Sequence, residues 1–448
     1  MDNYSQYTIP ALQDAIHRFE RVGQGLYESK WATKLLKNKL SGTPVRAMFV
    51  AQIAVWAESQ QSLPVRARKL LPGYRHLFDN QLPFVFEVVI AIQYLHNQIL
   101  DEKSGVKGRI PVSSNLLAAN LLKEQLYDYI RKEIPFWARK QTEASVRSVF
   151  QQVDMGQYLE QEANTYAAFL SGNDHLDKLL PDSYRTAINL LPAAVFIDKL
   201  KAELPSMLHN QLEVYFHRIY LTCASLFIEA GRLVATLCGV GKNSVENIVD
   251  FSVCYGLMRQ LVNDNADWVP GHFGLDTKTK TSADAFSDIR TGILTLSALF
   301  HLAENKQGVV TQILSNNIQW SDRFEPALFD EILHSNALYK SIQHTRVLAE
   351  LSKTYLPVKA AGFSWLEASC EIAAWNKFLR PCVQHEAFRK YRQLAHYKRT
   401  RQLALKIRAW RALPSPVLDM PTKTSTVPNI SAVAYAEDII RKATLKGV

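Results

Sequence analysis

From Ile9 to about residue 412 apolar residues recur at three and four positions, and few segments alternate with period two, which restricts the chain to a helical solution. The spacing predicts helices over Ile9–Tyr27, Thr43–Ser59, Pro83–Asp101, Ser114–Glu133, Glu143–Leu170, Tyr184–Leu200, Gln211–Cys238, Ser244–Ala266, Ala283–Glu304 and Pro326–Lys353. Turn chemistry separates them at Pro72-Gly73, Ser104-Gly105, Gly172-Asn173 and the polar loop from Pro270 to Ser282. There is no β-rich block and no internal repeat. The fold class is therefore all-α: one large helical domain over 1–345, a basic helical extension over 346–412 and a Pro/Ser/Thr-rich tail over 413–448. A length of 448 residues, 47% of them hydrophobic, is ample for a core of this kind.

Charge is not spread evenly. Between Glu386 and Arg411 there are nine Lys/Arg and one acid, which is +8 of the chain's +10. The high isoelectric point thus belongs to one segment, and no nucleic-acid partner is expected. Tyr391, Leu394, Tyr397, Leu405 and Trp410 interleave with these cations at helical spacing. Segment 386–411 reads as a solvated basic helix or as a peripheral contact for an anionic partner or membrane face. Five cysteines without CxxC spacing and twelve histidines without HExxH argue against a disulfide scaffold or a soft-ligand metal centre. No apolar run of the roughly 18–20 residues that cross a bilayer stands out, and Met1–Thr8 is polar, so the expectation is a cytoplasmic protein.

Two polar clusters end strongly apolar helices. One is His96-Asn97-Gln98-Ile99-Leu100-Asp101-Glu102, the other Gln260-Leu261-Val262-Asn263-Asp264-Asn265-Ala266-Asp267. Within each, oxygen-bearing side chains fall three or four residues apart and share one helical face. Two such ladders across one cavity make a site for a hard cation such as Mg²⁺; capping and solvation are the alternative use of polar residues at a helix end.

The order of these and other segments resembles the trans-prenyl diphosphate synthases, whose isoprenoid synthase fold also serves class I terpene synthases. Gly42-Thr43-Pro44-Val45-Arg46 is similar to the family's Gly-Lys-Arg-x-Arg, and Glu87 to Glu102 to the helix with the first aspartate-rich motif. Val106-Lys107-Gly108 resembles the Arg-Arg-Gly that follows, and Leu221-Thr222-Cys223-Ala224-Ser225-Leu226-Phe227 the Lys-Thr-x-x-Leu-Phe helix. Tyr255 to Asp267 resembles the second aspartate-rich helix with its preceding Gln, and Ser287 to Leu296 the Asp-Leu-x-x-Gly-Lys-x-Thr-Leu stretch.

The resemblance implies Mg²⁺ as cofactor, with Asp101, Asp264, Asp267, Asn97, Gln98, Glu102 and Asn263 as its ligands. It implies diphosphate contacts from Arg46, Lys107 and Arg290, and catalytic roles for Gln260 and Thr222. Val89, Ile92 and Gln93 would form the floor of a prenyl-chain pocket. The departures are also informative. Three of six motif aspartates remain, and Thr43, Pro44, Val106, Leu221 and Ile293 stand where the family carries cations. Each lost charge weakens the hold on a diphosphate or a divalent ion. Ile90 replaces the histidine two turns before the first motif, which removes much of the isopentenyl diphosphate site.

Three activities follow from this pattern. The first is Mg²⁺-dependent ionisation of a single allylic prenyl diphosphate, followed by cyclisation or prenyl transfer to a non-isopentenyl acceptor. The second is a non-catalytic subunit that binds and regulates an active synthase, and the third a chain-elongating polyprenyl diphosphate synthase. The partners implied are a prenyl diphosphate and either a second copy, as a homodimer, or an active synthase, as a heteromer.

Overall fold

The runs with three- and four-residue apolar spacing are helices. The computed structural model describes residues 15–19, 21, 44–61, 65–100, 112–172, 175–189, 193–268, 286–304, 307–317, 320–321, 324, 327–328, 331–332, 335, 337–357, 366 and 369–370. The longer helices are α1 (Val45–Ser59), α2 (Leu82–Leu100), α3 (Val112–Glu133), α4 (Phe136–Glu162), α5 (Tyr166–Ser171), α6 (Ala193–Lys201), α7 (His209–Ile219), α8 (Ser225–Cys238), α9 (Lys242–Asp267), α10 (Ser287–Arg290), α11 (Leu296–Glu304), α12 (Val309–Leu314) and α13 (Ala337–Tyr355). Among the described residues β-pairing is confined to one isolated antiparallel bridge, Thr165 with Ile293.

Several boundaries differ from the sequence reading, each for a local reason. The run expected over 143–170 starts earlier, at Phe136 just after Pro135, and breaks after Glu162. At that break Thr165 turns extended and its hydroxyl accepts from Ala168 N at 3.1 Å, a side-chain N-cap that starts α5. The run expected over 184–200 splits into Asp182–Arg185, Thr186–Asn189 and α6, and Pro192 stands between the last two in the sequence. The run over 283–304 is interrupted at Gly292, whose φ of 76° suits a residue without a side chain. Helical turns at Val65–Leu70, Tyr74–His76 and Leu77–Gln81 were not foreseen. Helix α13 continues past residue 345, and the basic segment 386–411 and the tail 413–448 lie outside the described residues.

The run over 211–238 is continuous but passes through a π-helical turn, Tyr220–Ala224, that joins α7 to α8. With Ser206–Leu208 before it, Ser206–Cys238 forms a 33-residue helical segment containing an 18-residue window of mean hydropathy 1.5, long and apolar enough to cross a membrane by length and composition. Most of that window, 78%, is buried in the protein, as in a core helix. This corrects the expectation that no apolar run approaches such a length.

The chain forms two compact units. Unit one comprises Met1–Val153, Ser225–Ser252 and Leu356–Glu367. Within it α1 packs on both α2 and α8, and α2 on α3. An aromatic cluster fills this core: Phe49 meets Phe227 edge-on at 4.9 Å and Phe251 at 6.1 Å, and Trp56 meets Phe251 at 5.6 Å. Each buried ring contributes about 1.5–3 kcal/mol by burial and about 0.5–1.5 kcal/mol more where ring geometry is favourable. The C-terminus of α8 is closed by Arg68, which donates to the carbonyls of Thr236 and Leu237 at 3.1 and 3.0 Å.

Unit two comprises Asp154–Ala224, Val253–Tyr355 and Ala368–Val448. Here α11 packs on α13, and α7 touches α6 and α11. Asn265 ties these helices together. Its carbonyl oxygen accepts from Ser297 and Ser341 at 2.9 and 2.6 Å, and its amide donates to Thr345 at 3.0 Å. A buried amide satisfied on three sides fixes the register of the helices around it.

Candidate functional site

The second acidic segment lies wholly in unit two, at the end of α9. Its central residue, Asp264, is 3% exposed and already fully engaged with neighbouring side chains. Oδ2 accepts from the Tyr215 hydroxyl at 2.8 Å and from Arg218 Nη2 at 3.2 Å, and Oδ1 accepts from Gln260 Nε2 at 2.7 Å. Gln260 comes from one turn earlier on the same helix, the contact its i, i+4 spacing predicts. Tyr215 and Arg218 both come from α7. Arg218 also donates to Glu160 Oε2 at 2.8 Å, so one guanidinium joins two carboxylates.

The electrostatics follow from burial. Leaving water works against the charge on Arg218, but the Asp264 and Glu160 carboxylates more than offset this and raise its pKa above the ordinary value. Burial, reinforced by Asp264, likewise holds the Tyr215 phenol well above its usual range, so Tyr215 stays a donor. Removing either end of such a buried pair leaves an uncompensated charge, at a cost of about 3–5 kcal/mol.

Asp267 is also committed. It is 2% exposed; Oδ1 accepts from Ser287 Oγ at 2.8 Å and Oδ2 from Asp288 N at 2.9 Å, so it caps the start of α10. Asn263 is exposed. The Thr222 hydroxyl donates to the Arg218 carbonyl at 2.9 Å, a bond from the π turn back to the last turn of α7. Gly156 lets that turn approach α4: a Cβ there would come within 2.7 Å of Thr222 Cγ2 and 2.8 Å of Leu221 Cβ. The Arg290 guanidinium lies 5.3 Å from the Trp320 ring centroid.

The first acidic segment and its neighbours belong to unit one. Asn97 is exposed on α2, the Gln98 side chain is outside the described part of the molecule, and so are Asp101, Glu102 and Lys107. Arg46 sits at the start of α1 with its guanidinium 6.0 Å from the Phe227 ring centroid. Glu87, on α2, accepts from the backbone amides of Arg46 and Ala47 at 2.9 and 3.3 Å and so caps α1. Burial raises the pKa of Glu87; nearby Arg46 and the two amides pull the other way without cancelling it. Val89, Ile92 and Gln93 are buried, and neither amide atom of Gln93 has a hydrogen-bond partner.

These residues do not fit a divalent ion at the second segment. Asp264 is enclosed by a guanidinium, a phenol and an amide donor, each aimed at the oxygens a metal would need, and Asp267 spends both oxygens on a helix start. Among the described residues no group of three or more His, Cys, Asp or Glu side chains could hold a metal. Arg218, Tyr215 and Glu160 were absent from the sequence reading. An arginine amid the apolar Val214-Tyr215-Phe216-His217-Arg218-Ile219-Tyr220-Leu221, one turn before Thr222, was the available signal.

No family model matches the sequence. Hexaprenyl pyrophosphate synthase, mitochondrial, of Saccharomyces cerevisiae is 23% identical over 293 residues, 64% of this chain and 58% of that protein's length. The structure of a decaprenyl diphosphate synthase from Rhodobacter capsulatus aligns with a TM-score of 0.55 at 14% identity, over 82% of this chain and 95% of that one. The fold is that of the trans-prenyl diphosphate synthases. A polyprenyl synthase from Caulobacter crescentus, complexed with calcium and isoprenyl diphosphate, aligns with a TM-score of 0.51 at 16% identity, over 80% and 97% of the two chains. The resemblance drawn from the sequence motifs thus stands, at the distance of a diverged member.

Proposed function

We propose that this protein serves prenyl transfer in polyprenyl diphosphate synthesis as a subunit that pairs with an active synthase and does not itself hold a metal at its second acidic segment. The observation that carries this reading is the Arg218–Asp264 pair: the carboxylate expected to grip a divalent ion is held by an internal, permanently charged guanidinium. The relatives named above act on polyprenyl chains by their descriptions, which supports the same pathway step for this chain. The missing cations at Thr43, Pro44, Val106, Leu221 and Ile293 fit a partner that has given up diphosphate binding of its own.

A second reading, a chain-elongating polyprenyl diphosphate synthase in its own right, is favoured by the match to the yeast enzyme. In that case Asp101, Glu102, Asn97 and Gln98 would supply the metal ligands, and Arg46, Lys107 and Arg290 the diphosphate contacts. Ionisation of a single allylic diphosphate without chain elongation draws less support, because the relatives named above are polyprenyl diphosphate synthases by name.

The test is to assay the purified chain with Mg²⁺, short and long allylic diphosphates and isopentenyl diphosphate, alone and co-expressed with an active polyprenyl synthase. The proposal expects no product from the chain alone, co-purification of the two proteins, and greater product formation by the pair than by the synthase alone. Turnover by the isolated chain that disappears in Asp264→Asn, while the variant keeps its helical signal, would overturn it.

A further inference from the structure

Unit one carries an apolar tip that its own core does not use. Leu70 is 86% exposed, Phe136 79% and Leu71 36%. They lie on two segments locked together. Trp137 Nε1 donates to the Pro72 carbonyl at 3.1 Å, and the Trp137 ring stacks on buried Tyr74 at 6.2 Å. Gly73, at φ 74°, turns so close to Pro135 that a Cβ there would lie 3.1 Å from Pro135 Cγ. The tip is therefore held by packing from behind, with Leu70 and Leu71 on one segment and Phe136 on the other.

Cations surround it. Residues 68–76 contain Arg68, Lys69 and Arg75 and no acid, while residues 131–140 contain Arg131, Lys132, Arg139 and Lys140 with Glu133 as the single acid. Carboxylates neighbour this rim: Glu58 binds Lys69 and Arg75, Asp128 binds Arg131, Glu133 pairs with Arg18, and Asp79 lies within the field of Arg75 and Glu58. The two segments, net +3 each with Glu133 already counted, outweigh Glu58, Asp79 and Asp128 beside them.

We propose that this tip is a membrane-docking surface, inserting Leu70, Leu71 and Phe136 at the headgroup level of an anionic bilayer while the basic rim binds its phosphates. Protruding aliphatic and aromatic side chains ringed by Lys and Arg are the composition that partitions to such an interface, because the long cationic side chains reach the headgroups while the apolar tips sit below them. Charge complementarity selects an anionic surface over a neutral one. The inference is independent of the prenyl-transfer reading, and uses residues distinct from the basic segment 386–411.

The test is co-sedimentation of the full chain with vesicles of phosphatidylcholine alone and of phosphatidylcholine mixed with phosphatidylglycerol, at low and high salt. The expected result is binding to the anionic vesicles only, weakened by salt, and reduced at least about tenfold in a Leu70→Ser/Phe136→Ser double variant. A Lys132→Gln/Lys140→Gln variant should lose severalfold at low salt and little at high salt. The proposal is overturned if the chain ignores anionic vesicles or if the double variant binds them as well as the parent. It is equally overturned if the double variant's effect is to dissolve a self-association seen by sedimentation velocity without lipid, which would make the tip a protein interface.

Discussion

Asp264 in unit two and Glu87 in unit one are both buried carboxylates on helices whose motifs resemble those of prenyl synthases, and the protein solves their burial in different ways. Asp264 is matched by a full positive charge and two neutral donors. Glu87 takes two backbone amides at a helix start, with its pKa raised by burial and only partly lowered by Arg46. The first is a fixed ion pair, the second a cap that tolerates protonation. At Asp264 and Glu87 the buried carboxylate is explained by what the helices around it need.

The largest effect is expected at Arg218. Arg218→Met strands Asp264 and Glu160 without a cation and should cost about 3–5 kcal/mol in denaturant unfolding. The double variant Arg218→Met/Asp264→Asn should recover part of that loss, since fewer unpaired buried charges remain. A single-variant loss of about 1 kcal/mol or less would mean that the pair is not the structural centre of unit two.

Gly156→Ala comes next. The added methyl meets the π turn that carries Thr222 at overlapping distance, and overpacking of this kind costs about 1–3 kcal/mol, partly offset by alanine's better helix propensity. A stability equal to or above the parent would show that the π turn shifts freely.

The smallest effect is expected at Glu87, where Glu87→Gln keeps an acceptor for the α1 amides and removes the buried charge, so its stability should lie within about 1 kcal/mol of the parent. The pH dependence is the sharper readout. Because folding raises the Glu87 pKa above its ordinary value of 4.5, its stabilising contribution is complete below that value and is lost as the pH rises through the folded pKa. Unfolding free energies measured from acid to mildly alkaline pH should show this decline in the parent and a flatter curve in the variant. An unchanged curve would mean that Glu87 ionises in the fold as easily as in the unfolded chain.

Much of the fold was legible because helical periodicity is a local signal: α1, α2, α3 and α9 fall within a few residues of where the apolar spacing put them. So was the Gln260–Asp264 contact, which needs only one helical turn. The environment of Asp264 was not. Tyr215 and Arg218 lie 49 and 46 residues away in sequence, and Arg218 reaches Glu160 across 58 more, so no local pattern could pair them. The break at Asn164 was hidden for the same reason. Its carbonyl accepts from Leu294 N at 3.0 Å, a partner supplied by a distant segment.

Arg218 closes the second acidic segment to metal. Titration of the purified full chain with Mn²⁺, followed by electron paramagnetic resonance, measures this directly in the parent and in Asp264→Asn. The closed arrangement predicts the same binding curve for both proteins, with no site contributed by Asp264. A stoichiometric Mn²⁺ site present in the parent and lost in Asp264→Asn, with the variant still folded by circular dichroism, would contradict it.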